Sequence, residues 1–148
     1  MTSLNQLLKK LSEIALAHAQ IKSYHQGQIY DASADGAIEY PCLWAVPNGG
    51  TPDIKGNLFL YKISLFMMDK DNSDGSNQID ILSDTTLILL DVLSKLEHES
   101  DSPNEWGIES VTEFTPFVDS QLDTVTGHST ELTIGAFFGS DICNGIIT

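Results

Sequence analysis

The sequence predicts an α+β domain: a mostly antiparallel sheet packed by an N-terminal helix and by a long helix between the third and fourth strands. Three observations predict it. Apolar residues recur at helical spacing near the N-terminus and again over about residues 77–98. Between and after these stretches the apolar period drops to two. The chain of 148 residues is also the length of one domain, able to bury about 68–70% of its unfolded surface. We therefore expect a single domain over 1–148, with GSDICNGIIT (139–148) as an extended C-terminal tail.

The first helix starts at a capping box, Ser3 with Gln6 three residues on. Leu4, Leu7, Leu8, Leu11, Ile14, Ala15 and His18 then form one apolar stripe, which puts His18 at the core edge. Gln28–Tyr30 has the composition of a short strand. From Ile38, alternation through Tyr40, Cys42, Trp44 and Val46 predicts a half-buried strand, and Pro41 and Pro47 place it near a sheet edge. PNGGTPDIKGN (47–57) reads as a long loop, since its prolines and glycines disfavour both helix and central strand. Loops of that length often carry contacts, so Asn48, Gly49, Gly50, Asp53, Ile54 and Lys55 are candidate inter-subunit or neighbour contacts.

NLFLYKISLFMMDK (57–70) is the strongest strand. Phe59, Tyr61, Ile63, Leu65 and Met67 make one wholly apolar face, and the other is apolar apart from Lys62 and Ser64, so the strand is central and covered. Its cover is the second helix, about Asn77–His98, with Asn77 at the cap and Asp80 in the first turn. Ile79, Leu82, Thr86, Leu89, Leu93 and Leu96 are spaced 3, 4, 3, 4 and 3. Ile81, Leu87, Ile88 and Leu90 widen the stripe past one face, which nominates Ile81 and Ile88 as further inter-subunit contacts. HESDSPNEW (98–106) is an acidic loop. Strands over Ile108–Val118, with Pro116 at an end or bulge, and His128–Phe138 complete the sheet.

Charge excludes some functions. The chain has 21 acidic residues, seven lysines and no arginine, for a net charge of −14. Nucleic-acid binding proteins grip phosphate with clustered Lys and Arg, so specific nucleic-acid binding is not expected. No run of 18 apolar residues occurs, so no membrane partner is expected. The N-terminal apolar stretch is broken by Lys9, Lys10, Glu13 and His18, unlike a secretion signal. Cys42 and Cys143 make no disulfide framework and suit a reducing interior as free buried thiols.

The most conspicuous motif is MMDKDNSDGSNQID (67–80). Asp69, Asp71 and Ser73 occupy positions 1, 3 and 5 of a calcium loop, but position 6 is Asp74, with Gly75 one place late. Position 12 is Asp80 instead of Glu, and the upstream flank is a strand instead of a helix. Asp69, Asp71 and Asp74 are therefore expected to be loop carboxylates, not ligands. Zinc-ligand spacing, a nucleophile elbow and phosphate-binding glycine patterns are all absent, and His128 and Ser129 point to opposite faces of a strand. No catalytic residue, metal or cofactor is expected, and the chain reads as a non-enzyme.

The order of elements, with IEYPCLWAVP, the Gly/Pro loop, NLFLYKISLFMM and IDILSDTTLILLDVLSKLE, resembles the tail-completion or tail-terminator proteins of tailed bacteriophages. In that family a Tyr-Pro strand precedes a long hairpin, and a polar loop leads into a helix across the sheet. Tyr40-Pro41, the 47–57 loop and the 76–98 helix stand in those places, and the resemblance covers roughly 1–138. It implies a structural virion protein, a homo-oligomeric ring at the phage neck or tail end that joins head to tail or terminates the tail. Such a protein contacts other neck or tail proteins and passes through the host cytoplasm during assembly. DNA would move through an acidic channel, lined in part by Asp69, Asp71 and Asp74, without specific binding. The 98–106 loop and the 139–148 tail have no counterpart in the family pattern. The alternative is a small acidic binding or immunity protein that mimics DNA or neutralises a basic nuclease or toxin.

Overall fold

The computed structural model describes residues 2–28, 38–72, 75–100, 106–119 and 125–138. In chain order these form α1 (Leu4–Ala17), β1 (Ser23–Gln26), β2 (Cys42–Asp53), β3 (Leu58–Lys70), α2 (Gln78–His98), β4 (Trp106–Val111), β5 (Thr115–Asp119) and β6 (Val125–Phe137). The strands make one sheet in the order β1-β2-β3-β6-β4, with β5 also paired to β6. Among the described residues only β1 and β2 run parallel. The architecture is the α+β class read from the sequence, with the long helix between the third and fourth strands.

The Ser3–Gln6 capping box forms: the Gln6 amide donates to Ser3 Oγ at 3.2 Å and the Ser3 amide to Gln6 Oε1 at 2.8 Å. Leu7, Leu8, Leu11, Ile14 and Ala15 then bury the face that the periodicity marks. Both helices lie on one side of the sheet, where Leu11, Leu89, Val92 and Leu96 pack with Leu43, Ile63, Leu65, Leu132 and Ile134. β3 runs between β2 and β6, and Ile63↔Leu132, Leu65↔Thr130 and Met67↔His128 are cross-strand neighbours beneath the helices. A second cluster of Cys42, Trp44, Met68 and Val125 occupies the other face, flanked by Ile38, Tyr40, Phe66 and Phe117. Burial pushes the Cys42 thiol up to about 11, against a hydrogen bond from Ser23 that lowers it.

The structure departs from the sequence expectations in four places. β2 does not stop before the Gly/Pro stretch; it continues to Asp53 and pairs with β3 as far as Asp53↔Leu58. A bulge between Pro47 and Gly50 absorbs the irregular residues, with Gly49 at φ 78 and Gly50 tight against the Phe59 ring and the Leu60 carbonyl. The turn shrinks to Ile54–Asn57, closed by the Asn57 amide on the Ile54 carbonyl at 3.3 Å. Pro47 and Pro52 fit because β1 covers β2 only along Cys42–Ala45, so among the described residues the outer edge from Val46 onward has no partner strand.

The early strand forms at Ser23–Gln26, before the expected Gln28–Tyr30, whose residues 29 and 30 lie outside the described residues. The predicted Ile108–Val118 strand is two strands, and the break is not at Pro116, which pairs with His128 inside β5. It falls between Val111 and Thr115. There the Thr112 amide reaches the Glu131 carbonyl at 3.0 Å while Thr112 Oγ1 takes the Glu131 amide at 2.9 Å, so a side chain replaces a ladder bond. Finally, Asn77 occupies the N-cap of α2 without capping it; its Oδ1 accepts the Asn72 amide at 2.7 Å instead. The polar loop is thereby tied to the helix start.

Candidate functional site

Polar chemistry collects where β3 ends under the first turns of α2. Asp69 keeps the inward parity of Ile63, Leu65 and Met67 and lies opposite Thr126 on β6. It lines a cleft of about 320 Å³ with Gln20 and Lys22 from the α1–β1 connection and Asp84, Thr85 and Ile88 from α2. Burial raises the Asp69 carboxyl above its ordinary value, the Lys70 amide at 2.8 Å opposes that, and the Asp84 charge adds to it.

A raised carboxyl holds its proton more tightly in the folded chain than in the unfolded one, so this group favours folding below its raised pKa. That contribution is lost as pH rises through it. Asp69→Asn is thus expected to stabilise the protein at neutral pH, by up to about 1 kcal/mol, and to leave stability almost unchanged at a pH well below the ordinary carboxylate value, where both states are protonated. Urea unfolding at the two pH values checks this; a loss of stability at neutral pH would contradict it.

Asp71 does not face a channel or solvent. It is 8% exposed, and its Oδ2 accepts a short hydrogen bond from Thr126 Oγ1 and one at 3.4 Å from Gln78 Nε2. Its Oδ1 is buried and has no hydrogen-bond partner among the described residues. The expectation of a channel-lining Asp71 is corrected here: the carboxylate ties the β3 exit to β6 and α2. Asp74 lies outside the described residues.

Nearby, Thr85 Oγ1 donates to the Ile81 carbonyl at 2.8 Å and lies 3.0 Å from His128 Nδ1. Burial lowers the His128 pKa from its ordinary value, which favours the neutral ring. Among the described residues no group of three or more His, Cys, Asp and Glu side chains is placed to hold a metal ion, and no helix is long and apolar enough to cross a membrane.

The remaining candidate residues divide in two. Asn48, Gly49, Gly50, Ile54 and Lys55 are exposed along the outer half of the β2–β3 hairpin, and Asp53 is half-buried there with Oδ1 accepting the Gly56 amide at 3.2 Å. Asn48 Nδ2 also donates to Ser64 Oγ and to Glu131 Oε2, fixing the bulge on the sheet. Ile81 and Ile88, nominated as subunit contacts, are 5% and 2% exposed and pack within the chain. The apolar residues that α2 turns outward are Ile79, Leu87 and Leu90. His18 behaves as a core-edge histidine, with Nε2 3.1 Å from Asp91 Oδ2.

The cleft and the Asp71–Thr126 bond have only a partial signal in the sequence. Alternate Asp69 and Asp71 extend the period of β3, but Thr126 and Asp84 come from distant segments. No protein-family model matches the chain, and no curated protein matches it.

Proposed function

We propose that this chain is a non-enzymatic structural subunit of a tailed-phage virion, one that assembles as a ring at the neck or tail end to join head to tail or terminate the tail. The observation that carries the reading is the outer half of the β2–β3 hairpin. There the edge of β2 has no partner among the described residues, and Ile54 stands 70% exposed at the turn beside Lys55. Together with Asn48, Gly49 and Gly50 this is a contiguous exposed contact element on a rigid scaffold. Contact between such an element and a different surface of the next copy is heterologous, and heterologous contacts that close make rings. Pro47 and Pro52 limit strand addition along this edge, so the contact is made by side chains at the turn.

The acidic charge suits a ring that lets DNA slide. Six copies of a chain at −14 would carry roughly −80 before screening, repelling phosphate within a Debye length of about 8 Å. Exposed carboxylates and the partly exposed Asp69, not Asp71, would supply that field.

Size-exclusion chromatography with light scattering, followed by electron microscopy, tests the reading. A discrete ring is expected, and Ile54→Asp is expected to shift it to monomer while changing stability by less than about 0.5 kcal/mol, as surface substitutions do. A strictly monomeric wild type at high concentration, with no ring beside virion partners, would overturn it.

A further inference from the structure

α2 has an outward face that neither the core nor the proposed hairpin contact uses. Leu87 is 59% exposed, Leu90 48% and Ile79 78%. At roughly 100° per residue, Ser83, Leu90 and Ser94 fall within about 60° of Leu87 on one side. On the other side, at similar angles, stand Asp80, Asp91 and Asp84. All of these residues are exposed. The result is a strip with an apolar floor, two small serines at its ends and a row of carboxylates along one margin. α1 borders that acidic margin, since His18 meets Asp91 and Lys10 meets Glu99 at 3.3 Å. Within the strip the basic side chains are confined to the last turn, at Lys95 and His98.

We propose that this face docks a cationic amphipathic helix of a different polypeptide, whose leucine-like face covers Leu87 and Leu90 and whose lysines or arginines meet Asp80 and Asp84. Charge decides the occupant. A second copy of this chain brings a net charge of −14, and an α2-to-α2 contact would set carboxylates against carboxylates. A basic amphipathic helix satisfies the apolar floor and the acidic margin of the strip at once, as helix-in-groove recognition requires. In the ring reading such a helix belongs to a neighbouring virion protein, but the docking face exists in each single chain and stands without the ring.

The test titrates the full chain with a synthetic leucine–lysine peptide patterned as an amphipathic helix. Controls are a scrambled peptide of the same composition and a leucine–glutamate version, all read by fluorescence anisotropy. The patterned peptide is expected to bind best. Leu87→Ser/Leu90→Ser should weaken it about tenfold or more, as loss of interface anchors does. Asp80→Asn/Asp84→Asn should weaken it too and flatten its salt dependence, an independent check if the leucine variant folds poorly. Equal binding of patterned and scrambled peptides, or no loss in either variant, overturns the proposal. So does self-association of the wild type that the leucine variant abolishes, which would make a second copy the occupant. Failure to form rings with peptide binding intact would count against the ring alone.

Discussion

Gly127→Ala is expected to cost about 3 kcal/mol or more, at the upper end for overpacking, and to lower Tm by roughly 10 °C for a chain of this size. Gly127 lies on β6 opposite Met68, and a β-carbon there would run into the Met67 carbonyl and come within 2.8 Å of Met68 Cα. Those atoms belong to the backbone of β3, so no rotamer change relieves the contact; the two central strands must separate. On the same face Phe66 and Phe117, the latter opposite Gly127, meet edge-on at 5.9 Å. Thermal unfolding by circular dichroism checks the effect. A Tm within a degree or two of wild type would mean that β3 and β6 do not approach so closely.

The second large effect separates the faces of α2. Leu89→Ala should cost about 3 kcal/mol, within the range for emptying a buried leucine site, whereas Leu87→Ala should cost less than about 0.5 kcal/mol. Leu89 is fully buried against the sheet core, and Leu87 is 59% exposed two residues earlier. Chemical denaturation of both variants with a shared m-value decides it. Comparable losses from the two would show that the outward face is covered in the folded chain.

This contrast marks what was legible in the sequence. Periodicity placed a helix at Asn77–His98, and the structure has it at Gln78–His98. The same pattern could not say which apolar residues faced inward, because Ile79, Ile81, Leu87, Ile88 and Leu90 cover most of the circumference. The sheet removes the ambiguity: Ile81 and Ile88 turn toward it while Ile79, Leu87 and Leu90 turn away. At 47–57, glycine and proline content suggested a loop, because the composition of a segment does not register its pairing to the next strand. The long apolar β3 held β2 in register across a bulge and left only Ile54–Asn57 as the turn.

The acidic stretch after β3 shows the same division. Its glycine placement and the strand before it argued against a calcium loop, and it connects β3 to α2. That its carboxylates are not equivalent was invisible locally. Asp69 and Asp71 are two residues apart with the same side chain, yet one lines a cleft opposite Asp84 and the other is buried on Thr126.

By itself, the sequence determined the two helices and the central strand β3, the α1 cap, the inward parity of β3 and the acidic character of the surface. Each follows from chemistry within a few residues: hydrophobic period, side-chain reach to a nearby amide, and ionisation. Tertiary structure alone decided how β2 extends, where β4 and β5 divide, which face of α2 is free and which carboxylate is buried. Those outcomes depend on cross-strand and side-chain partners, from the hairpin pair Asp53 and Leu58 to Thr130 with Thr112 and Thr126 with Asp71, 18 and 55 residues apart, and the pattern of any one segment carries no record of them.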